Sequence, residues 1–521
     1  MDDMELVENV NDIKEYPANT FYILTKQLND HRLVFSRIGI LLAYILRGTI
    51  DFKTSAILGF FNLILLGFSF FLVYKSKNKG NLAFIPIVFL LLSANIFLAH
   101  LWGLLAFENT LAVAFSILCL YFLQPGKEKY WLFAFPFAIF STLTNLEAVT
   151  VIPIGICWLF FQGRWKQAVY FLLASAVYMF IFFLDFRFSA ASKFPLTFES
   201  LLLIVKSLAV AVGSQAKTIS DTHGILLSLI FGSVILIIFF GIKMLGIIGV
   251  IRGGNGKTGL EIDFTDVCFL KILAALLMVA VGRHAEGIDN MVALRFQIYS
   301  VSMLIIFYLF LLKTLQNKRL YFFKIGAVFS AVLLFGLGYK KYSADINYAQ
   351  AGLQADSYNY SHYHLYLHQY FNMPEPEPAF YRNFIFPDIF DQKTINAWKN
   401  RSGASPNTVS SMSLHEVAHG ERNRDEMYEF LKLEVVTPAA AVLPADVYLG
   451  LRHDNAPEIF YLIAFKKGNS NWSNEILGRN AGRMFSCDLP GKIPKGIYNA
   501  KMCWIEDGVA KSISLPKKIR M

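Results

Sequence analysis

Two polar stretches stand out in a largely apolar chain by the residue types they carry. "NDHRLVFSR", residues 29–37, holds Asp30, His31, Arg32 and Arg37, and "VAVGRHAEGIDNMVALRF", residues 279–296, holds Arg283, His284, Glu286, Asp289 and Arg295. Glu147 in "TLTNLEAVT" is a third charge at the end of an apolar run. A charge at membrane depth costs about 2.5 to 3.5 kcal/mol on insertion scales, so such groups usually face a partner, water or substrate. Read as a set, they suit a lipid-borne phosphate at the membrane edge. Guanidinium groups clamp phosphate oxygens in a bidentate manner. A carboxylate, Asp30 or Glu147, can take a proton from an acceptor hydroxyl, and His31 or His284 can orient or relay it.

Three other patterns compete. His415-Glu416-Val417-Ala418-His419 is an H-E-x-x-H motif, which on a helix sets two imidazoles on one face for zinc with Glu as general base. Gly420 and Glu421 follow it at once, and no third ligand is evident. "GGNGKTG", residues 253–259, resembles a phosphate loop but has Ile251 where the pattern requires glycine. His362, His364 and His368 lie in a tyrosine-rich stretch without further convergent ligands, which reads better as a solvated amphipathic helix. No metal site is assigned, and a divalent cation is compatible with the chemistry above without being required by it.

The elements that must hold these residues follow from composition. The chain of 521 residues is 55% hydrophobic and 15% aromatic, with 49 Phe and only 17% charged residues. Its mean hydropathy is +0.46. Runs of about 18 or more nearly uncharged residues recur through the first two thirds, each long enough to cross roughly 30 Å of hydrocarbon. About ten spans are expected, near 54–74, 82–99, 106–124, 130–145, 148–162, 167–184, 222–246, 264–282, 298–315 and 321–339. The net charge of +10 comes from short basic clusters between spans, with no nucleic-acid motif beside them.

Those clusters fall in alternate loops: Lys75, Lys77 and Lys79; Lys127 and Lys129; Arg164 and Lys166; Arg252 and Lys257; Lys313, Lys318, Arg319 and Lys324. The positive-inside rule makes these loops cytoplasmic. The loops near 100–108, 146, 185–221 and 282–297, and everything after about 340, are then external. Residues 31–53 read as an interfacial amphipathic helix, and 198–213 as a second. The first sixteen residues are acidic, and the N-terminus falls outside on this topology; a start placed after an omitted first helix is the simpler account.

After residue 340 short β-rich runs appear, including "LKLEVV", "VYLGLR", "EIFYLIAF", "RMFSCD" and "YNAKMCWI", and suggest a small β-rich domain, a sandwich by strand length and turn spacing. Cys119, Cys157 and Cys268 lie in apolar runs and behave as small hydrophobes. Cys487 and Cys503 flank "DLPGKIPKG", so a bridge across a hairpin is sterically open in an oxidising compartment.

"NDHRLVFSR" resembles the E-H-R-x-x-F-x-R signature of a large group of bacterial multi-span proteins, with Asp30 for the usual Glu. "GRHAEGIDNMVALRFQIYS" resembles that group's G-R-x-x-x-G-x-x-x-A-x-x-x-R-Y segment, with Phe296 for the usual Tyr. The group is similar to the GT-C superfamily, membrane glycosyltransferases that take a sugar from a polyprenyl-phosphate carrier at the external face. The similarity covers roughly residues 20–340. It implies an all-α polytopic membrane domain of about ten transmembrane helices, GT-C-like, followed by the β-rich extracytoplasmic domain, in a bacterial inner membrane.

The corresponding division is an extracytoplasmic segment 1–53, a membrane domain 54–339 and an extracytoplasmic β-rich domain 340–521. The implied base is Asp30 or Asp3, with His31 beside it; Arg32, Arg37, Glu147, Arg283, His284 and Arg295 would meet a polyprenyl-phosphate-linked sugar. The acceptor would be an extracytoplasmic glycan or protein. Two alternatives remain open: a non-catalytic carrier binder, flippase-like or a scaffold, and a membrane-anchored zinc protease using His415, Glu416 and His419.

Overall fold

A computed structural model describes residues 2–28, 30–48, 52–75, 81–97, 105–187, 197–220, 222–251, 262–283, 287–315, 317–365, 367, 390–400, 411–421, 427–437, 443, 446–467, 483–490 and 493–521. The chain divides into two compact units, 2–339 and 340–521.

The first unit is helical. Its N-terminal part comprises α1 (Asp2–Glu15), α2 (Thr20–Thr25) and α3 (Val34–Arg47). The acidic sequence of α1 still carries an apolar stripe, and Leu6, Val7 and Val10 are buried. Helix α3 buries Ser36, Arg37, Ile40 and Ala43 at helical spacing, while Leu42, Ile45 and Leu46 on its other side are exposed. Its amphipathicity is thus inverted relative to a helix that keeps its arginines in water: Arg37 points inward.

The helices that follow are α4 (Phe52–Lys75), α5 (Ile85–Leu91), α6 (Asn109–Leu123), α7 (Ala134–Thr142), α8 (Val151–Phe161), α9 (Trp165–Phe182), α10 (Phe198–Val212), α11 (Gly224–Ile251), α12 (Phe264–Gly282), α13 (Gln297–Thr314) and α14 (Asn317–Tyr363). Among the described residues seven stretches are long and apolar enough to cross a membrane: 54–75, 105–123, 165–182, 224–248, 264–282, 294–314 and 318–363. Shorter apolar helices occupy 82–91, 131–142 and 146–161. The protein is therefore a multi-pass membrane protein by the length and composition of its helices.

Helices α6 and α13 are buried almost throughout. The small residues of α6 let neighbours approach: Ser116 Oγ donates to Ala112 O and meets Ser141 Oγ of α7 at 2.7 Å. Such contacts join helices where no hydrophobic force distinguishes protein from lipid. At the opposite end from the polar stretches, Asp263 caps α12 in a capping box with Asp266. Asp266 pairs with Lys243 of α11 at 2.6 Å, and Asp263 with Lys313 of α13 at 2.9 Å. Four charges thereby neutralise one another at the ends of three helices.

The second unit stacks two antiparallel sheets. One has the order β1-β2-β6-β5 and the other β4-β3-β7-β8, with β9 also on β7. The strands are β1 (Ser411–Glu421), β2 (Met427–Thr437), β3 (Tyr448–His453), β4 (Phe460–Ala464), β5 (Lys466–Lys467), β6 (Arg483–Pro490), β7 (Ile497–Glu506), β8 (Val509–Ser514) and β9 (Ile519–Arg520). Leu433, Val435 and Phe485 of one sheet share a core with Leu449, Leu451, Ile463 and Met502 of the other, as alternation in a sandwich requires. The outer face of the second sheet is covered by the C-terminal turns of α14 and by α15 (Gln392–Asn400), through Ala351, Ala355, Tyr358 and Trp398. Strands β3 and β4 are consequently apolar on both faces.

Strand β4 ends its sheet, and α14 supplies what a further strand would. Asn359 donates to Leu462 O at 2.6 Å and accepts from Leu462 N at 2.9 Å. Tyr363, one turn on, accepts from Phe460 N at 2.9 Å through its hydroxyl. Residues 460 and 462 direct their backbone groups to the same side, and helix positions 359 and 363 match that spacing.

Two expectations are corrected here. The 415–419 stretch lies in β1, where His415 registers with Lys432 and Glu416 with Leu431, not on a helix. Four residues of strand separate the histidines by about 13 Å of backbone, against about 6 Å on a helix, so the zinc-protease reading loses the geometry it needs. Cys487 lies on β6 and Cys503 on β7, in different sheets and different cores, and both thiols are free and buried. The hairpin bridge does not form because β6 and β7 do not pair.

Candidate functional site

The described candidate residues gather at one end of the helical unit, where α6, α8, α11 and α13 begin and α9 and α12 finish. Glu108 precedes α6, the 3-10 turn Leu146–Thr150 precedes α8, the turn Ser214–Thr218 precedes α11, and the turns Ile288–Val292 and Leu294–Phe296 lead into α13. All four loops expected on one side of the membrane meet here through side-chain contacts.

Asn145 Nδ2 donates to Glu108 Oε1 and to Asn109 Oδ1, each at 2.7 Å. Asn109 Nδ2 donates to Arg295 O at 2.9 Å, and the Tyr299 hydroxyl donates to Asn109 Oδ1 at 3.3 Å. On the other side of Tyr299, Gln297 Oε1 accepts from Gln215 Nε2 at 2.8 Å and from Ser214 Oγ at 3.3 Å, and Asn95 hydrogen-bonds Gln215. Every one of these side chains is buried. In a low-dielectric interior such a network holds only when its members are paired, so it fixes the loops with respect to one another.

Arg283 and Arg295 both stand over the ring of Phe296, with guanidinium carbons 5.4 Å and 4.9 Å from its centroid. The two guanidinium carbons are therefore no more than about 10 Å apart. Gly287, between them in sequence, has φ of +89°, a conformation that glycine alone adopts freely, and it turns the chain from the end of α12 towards α13. His284 and Glu286 lie outside the described residues.

His31 and Glu147 are brought close. His31 Nδ1 accepts from the backbone N–H of Leu146 at 3.2 Å, so the neutral ring carries its proton on Nε2, and this bond ties the 28–31 turn to the segment bearing Glu147. Asp30 is half-buried in the same turn. The side chain of Asp3 lies outside the described residues, as does His368.

Arg32 and Arg37 serve the chain itself. Arg32 donates to Phe182 O, Thr25 O and Leu184 O at 3.0, 2.6 and 2.7 Å. Arg37, 1% exposed, donates to Leu24 O and Lys26 O at 3.1 and 2.5 Å and pairs with Glu5 at 3.5 Å. Burial pushes the Glu5 carboxyl above its usual range despite the neighbouring Arg37, and lowers the Arg37 guanidinium. These arginines pin α1, α2 and the end of α9 together.

Among the residues not singled out above from sequence are Glu108, Asn109, Asn145, Tyr299 and Lys271. Lys271, on α12, is 1% exposed, and its Nζ has no hydrogen-bond partner among the described residues. A lone cation inside "CFLKILAALL" is a signal by itself, because ionisable residues in a span mark sites. No group of three or more His, Cys, Asp or Glu side chains suited to a metal stands among the described residues. Compared with family models, curated proteins and solved structures, the chain matches none.

Proposed function

We propose that the protein is an integral membrane glycosyltransferase of GT-C type, transferring a sugar from a polyprenyl-phosphate donor to an extracytoplasmic acceptor. The observation that carries this reading is the convergence of Arg283 and Arg295 on Phe296, at the end of the helical unit where buried carboxylates and carboxamides gather. The N-termini of α6, α8, α11 and α13 add partial positive charge at that end, which favours an anion. Arg283 and Arg295 hold the donor phosphate. The acceptor hydroxyl attacks the anomeric carbon, the carbon–oxygen bond to phosphate breaks, and the hydroxyl proton passes to Asp30, with His31 orienting it and Asp3 the alternative base.

On this reading the three shorter apolar helices join the seven long ones to give ten crossings of a bacterial inner membrane. The unit 340–521 stands on the extracytoplasmic side and receives the acceptor, a glycan or protein. The second reading, a non-catalytic carrier binder, keeps the two arginines and omits the base.

The test is transfer from radiolabelled polyprenyl-phosphate sugar by purified protein. Replacing either charge-assisted contact costs about 1.5–3 kcal/mol, so Arg283→Gln and Arg295→Gln each lower transfer roughly ten- to a hundredfold. Undiminished transfer in both overturns the phosphate role. Carrier binding without transfer by the unaltered protein favours the second reading.

A further inference from the structure

The end of the helical unit away from the polar loops carries its charge unevenly. Where α11, α12 and α13 meet, Lys243 and Lys313 are matched by Asp266 and Asp263. Tyr121 of α6 and Trp158 of α8 pack against Phe264 at the start of α12, with ring centroids 6.0 and 6.2 Å away. Just beyond those two rings, the α6–α7 and α8–α9 connections bring Lys127, Lys129, Arg164 and Lys166 with a single carboxylate, Glu128. That carboxylate is turned to its own loop, Oε1 accepting from Gly126 N at 2.8 Å. Among the described residues none of the three lysines makes an ion pair.

Contacts join the two connections into one surface. Arg164 Nη1 donates to Leu123 O at 2.6 Å, across the end of α6, and Gln167 Nε2 donates to Glu128 O at 3.4 Å. Trp131 stacks on Tyr170 with ring centroids 6.5 Å apart. Arg164 is thereby engaged in holding the loops, whereas Lys129 and Lys166, neighbours in sequence of the two partners in the Gln167–Glu128 bond, are exposed. Lys127 Nζ stands 5.1 and 6.0 Å from the ring centroids of Tyr121 and Tyr130.

The same surface is apolar beside its lysines. Phe161 is 76% exposed and Trp165 63%, and Phe160 packs on the Trp165 ring at 4.8 Å. Trp and Tyr settle at the headgroup level of a bilayer, and basic pockets between spans at that level suit lipid phosphates. A free anion would answer the lysines and leave the exposed rings uncovered. A neutral phospholipid would cover the rings and bring no net charge to the lysines. A phospholipid with a net negative headgroup does both.

We propose that the joined α6–α7 and α8–α9 connections form a docking surface for an anionic phospholipid of the surrounding bilayer. Lys127, Lys129 and Lys166 hold its phosphate, and its acyl chains lie against Phe161 and Trp165. The surface lies at the opposite end of the helical unit from Arg283 and Arg295, so it stands or falls independently of the glycosyltransferase reading.

The experiment uses the full chain in phosphatidylcholine nanodiscs containing increasing mole fractions of brominated phosphatidylglycerol or brominated phosphatidylcholine. Bromine quenches nearby indole fluorescence, and the part of the quenching lost in Trp165→Phe reports this surface. Each lysine contributes roughly fivefold to anionic preference, so half-quenching of Trp165 is expected at a roughly hundredfold lower mole fraction of phosphatidylglycerol than of phosphatidylcholine. Combined Lys127→Gln, Lys129→Gln and Lys166→Gln abolishes that preference. Lys129→Gln alone, at an exposed position, reduces it about fivefold and keeps the test open where the triple variant does not fold. Lys393→Gln, Lys495→Gln and Lys517→Gln together remove the same net charge from the 340–521 unit and leave the preference within about twofold.

Equal half-quenching by the two lipids in the unaltered protein overturns the inference. So does a preference that survives in a folded triple variant or in Lys129→Gln, or one that falls as far in the 340–521 control. Release of the brominated phosphatidylglycerol by soluble glycerophosphate overturns the lipid as occupant, because a headgroup without chains would then suffice.

Discussion

Arg37 and Glu5 illustrate how a buried pair is held less by its charges than by what surrounds it. The guanidinium carries two backbone carbonyls besides the carboxylate. Arg37→Met leaves all three without a donor and is expected to cost about 3 kcal/mol, read as detergent-phase melting. Glu5→Gln removes a carboxylate whose desolvation outweighs its attraction to Arg37, and changes stability little. The pH dependence has a definite sign. Because the folded pKa of Glu5 lies above the unfolded one, its contribution is present in acid and lost as pH rises through the folded value. The protein therefore melts slightly higher near pH 5 than near pH 7 on this account, and Glu5→Gln flattens the difference. Single residues were unevenly legible. Arg283 and Arg295 announced themselves as charges between apolar runs, but Phe296, expected only to lack a hydroxyl, is the ring over which both stand. Arg32 and Arg37 donate to backbone carbonyls of the chain itself, and sequence does not reveal which carbonyls a loop leaves for a side chain.

Helices α10 and α11 approach more closely than side chains normally allow, at Gly213 and Gly232. A Cβ on Gly232 would stand 1.8 Å from Ala209 O, and one on Gly213 would stand 2.0 Å from Ser228 O. Gly232→Ala must force the backbones apart and is expected to cost about 1–3 kcal/mol or more, whereas Gly241→Ala, with nothing within 4 Å, is expected to leave melting unchanged. Long spans and strands β2, β3, β4, β6 and β7 were legible because their periodicity is continuous over the whole element. The H-E-x-x-H stretch was not, because five residues fit either period and only pairing with β2 decides between them. Lys271 was missed for a related reason: a single cation scarcely disturbs the apolarity of its span, and its isolation becomes evident only once the neighbouring helices surround it.

For the molecule as a whole, the basic loops predict orientation. With the five cysteines replaced, Lys129→Cys is expected to react with a membrane-impermeant maleimide only after permeabilisation, and Lys511→Cys in intact spheroplasts. Labelling of both, or of neither, before permeabilisation overturns the proposed topology. The boundary at 339/340 coincides with a change from apolar to aromatic and polar sequence, yet α14 runs through it without interruption. Helix propensity thus continues past the change in composition. The same helix ends by closing β4 with Asn359 and Tyr363. Confinement to a bilayer raises the frequency with which copies of a protein collide, and an open sheet edge would turn such collisions into templated growth. Along β4 that edge is already occupied by the protein's own helix, so crowding finds no template there.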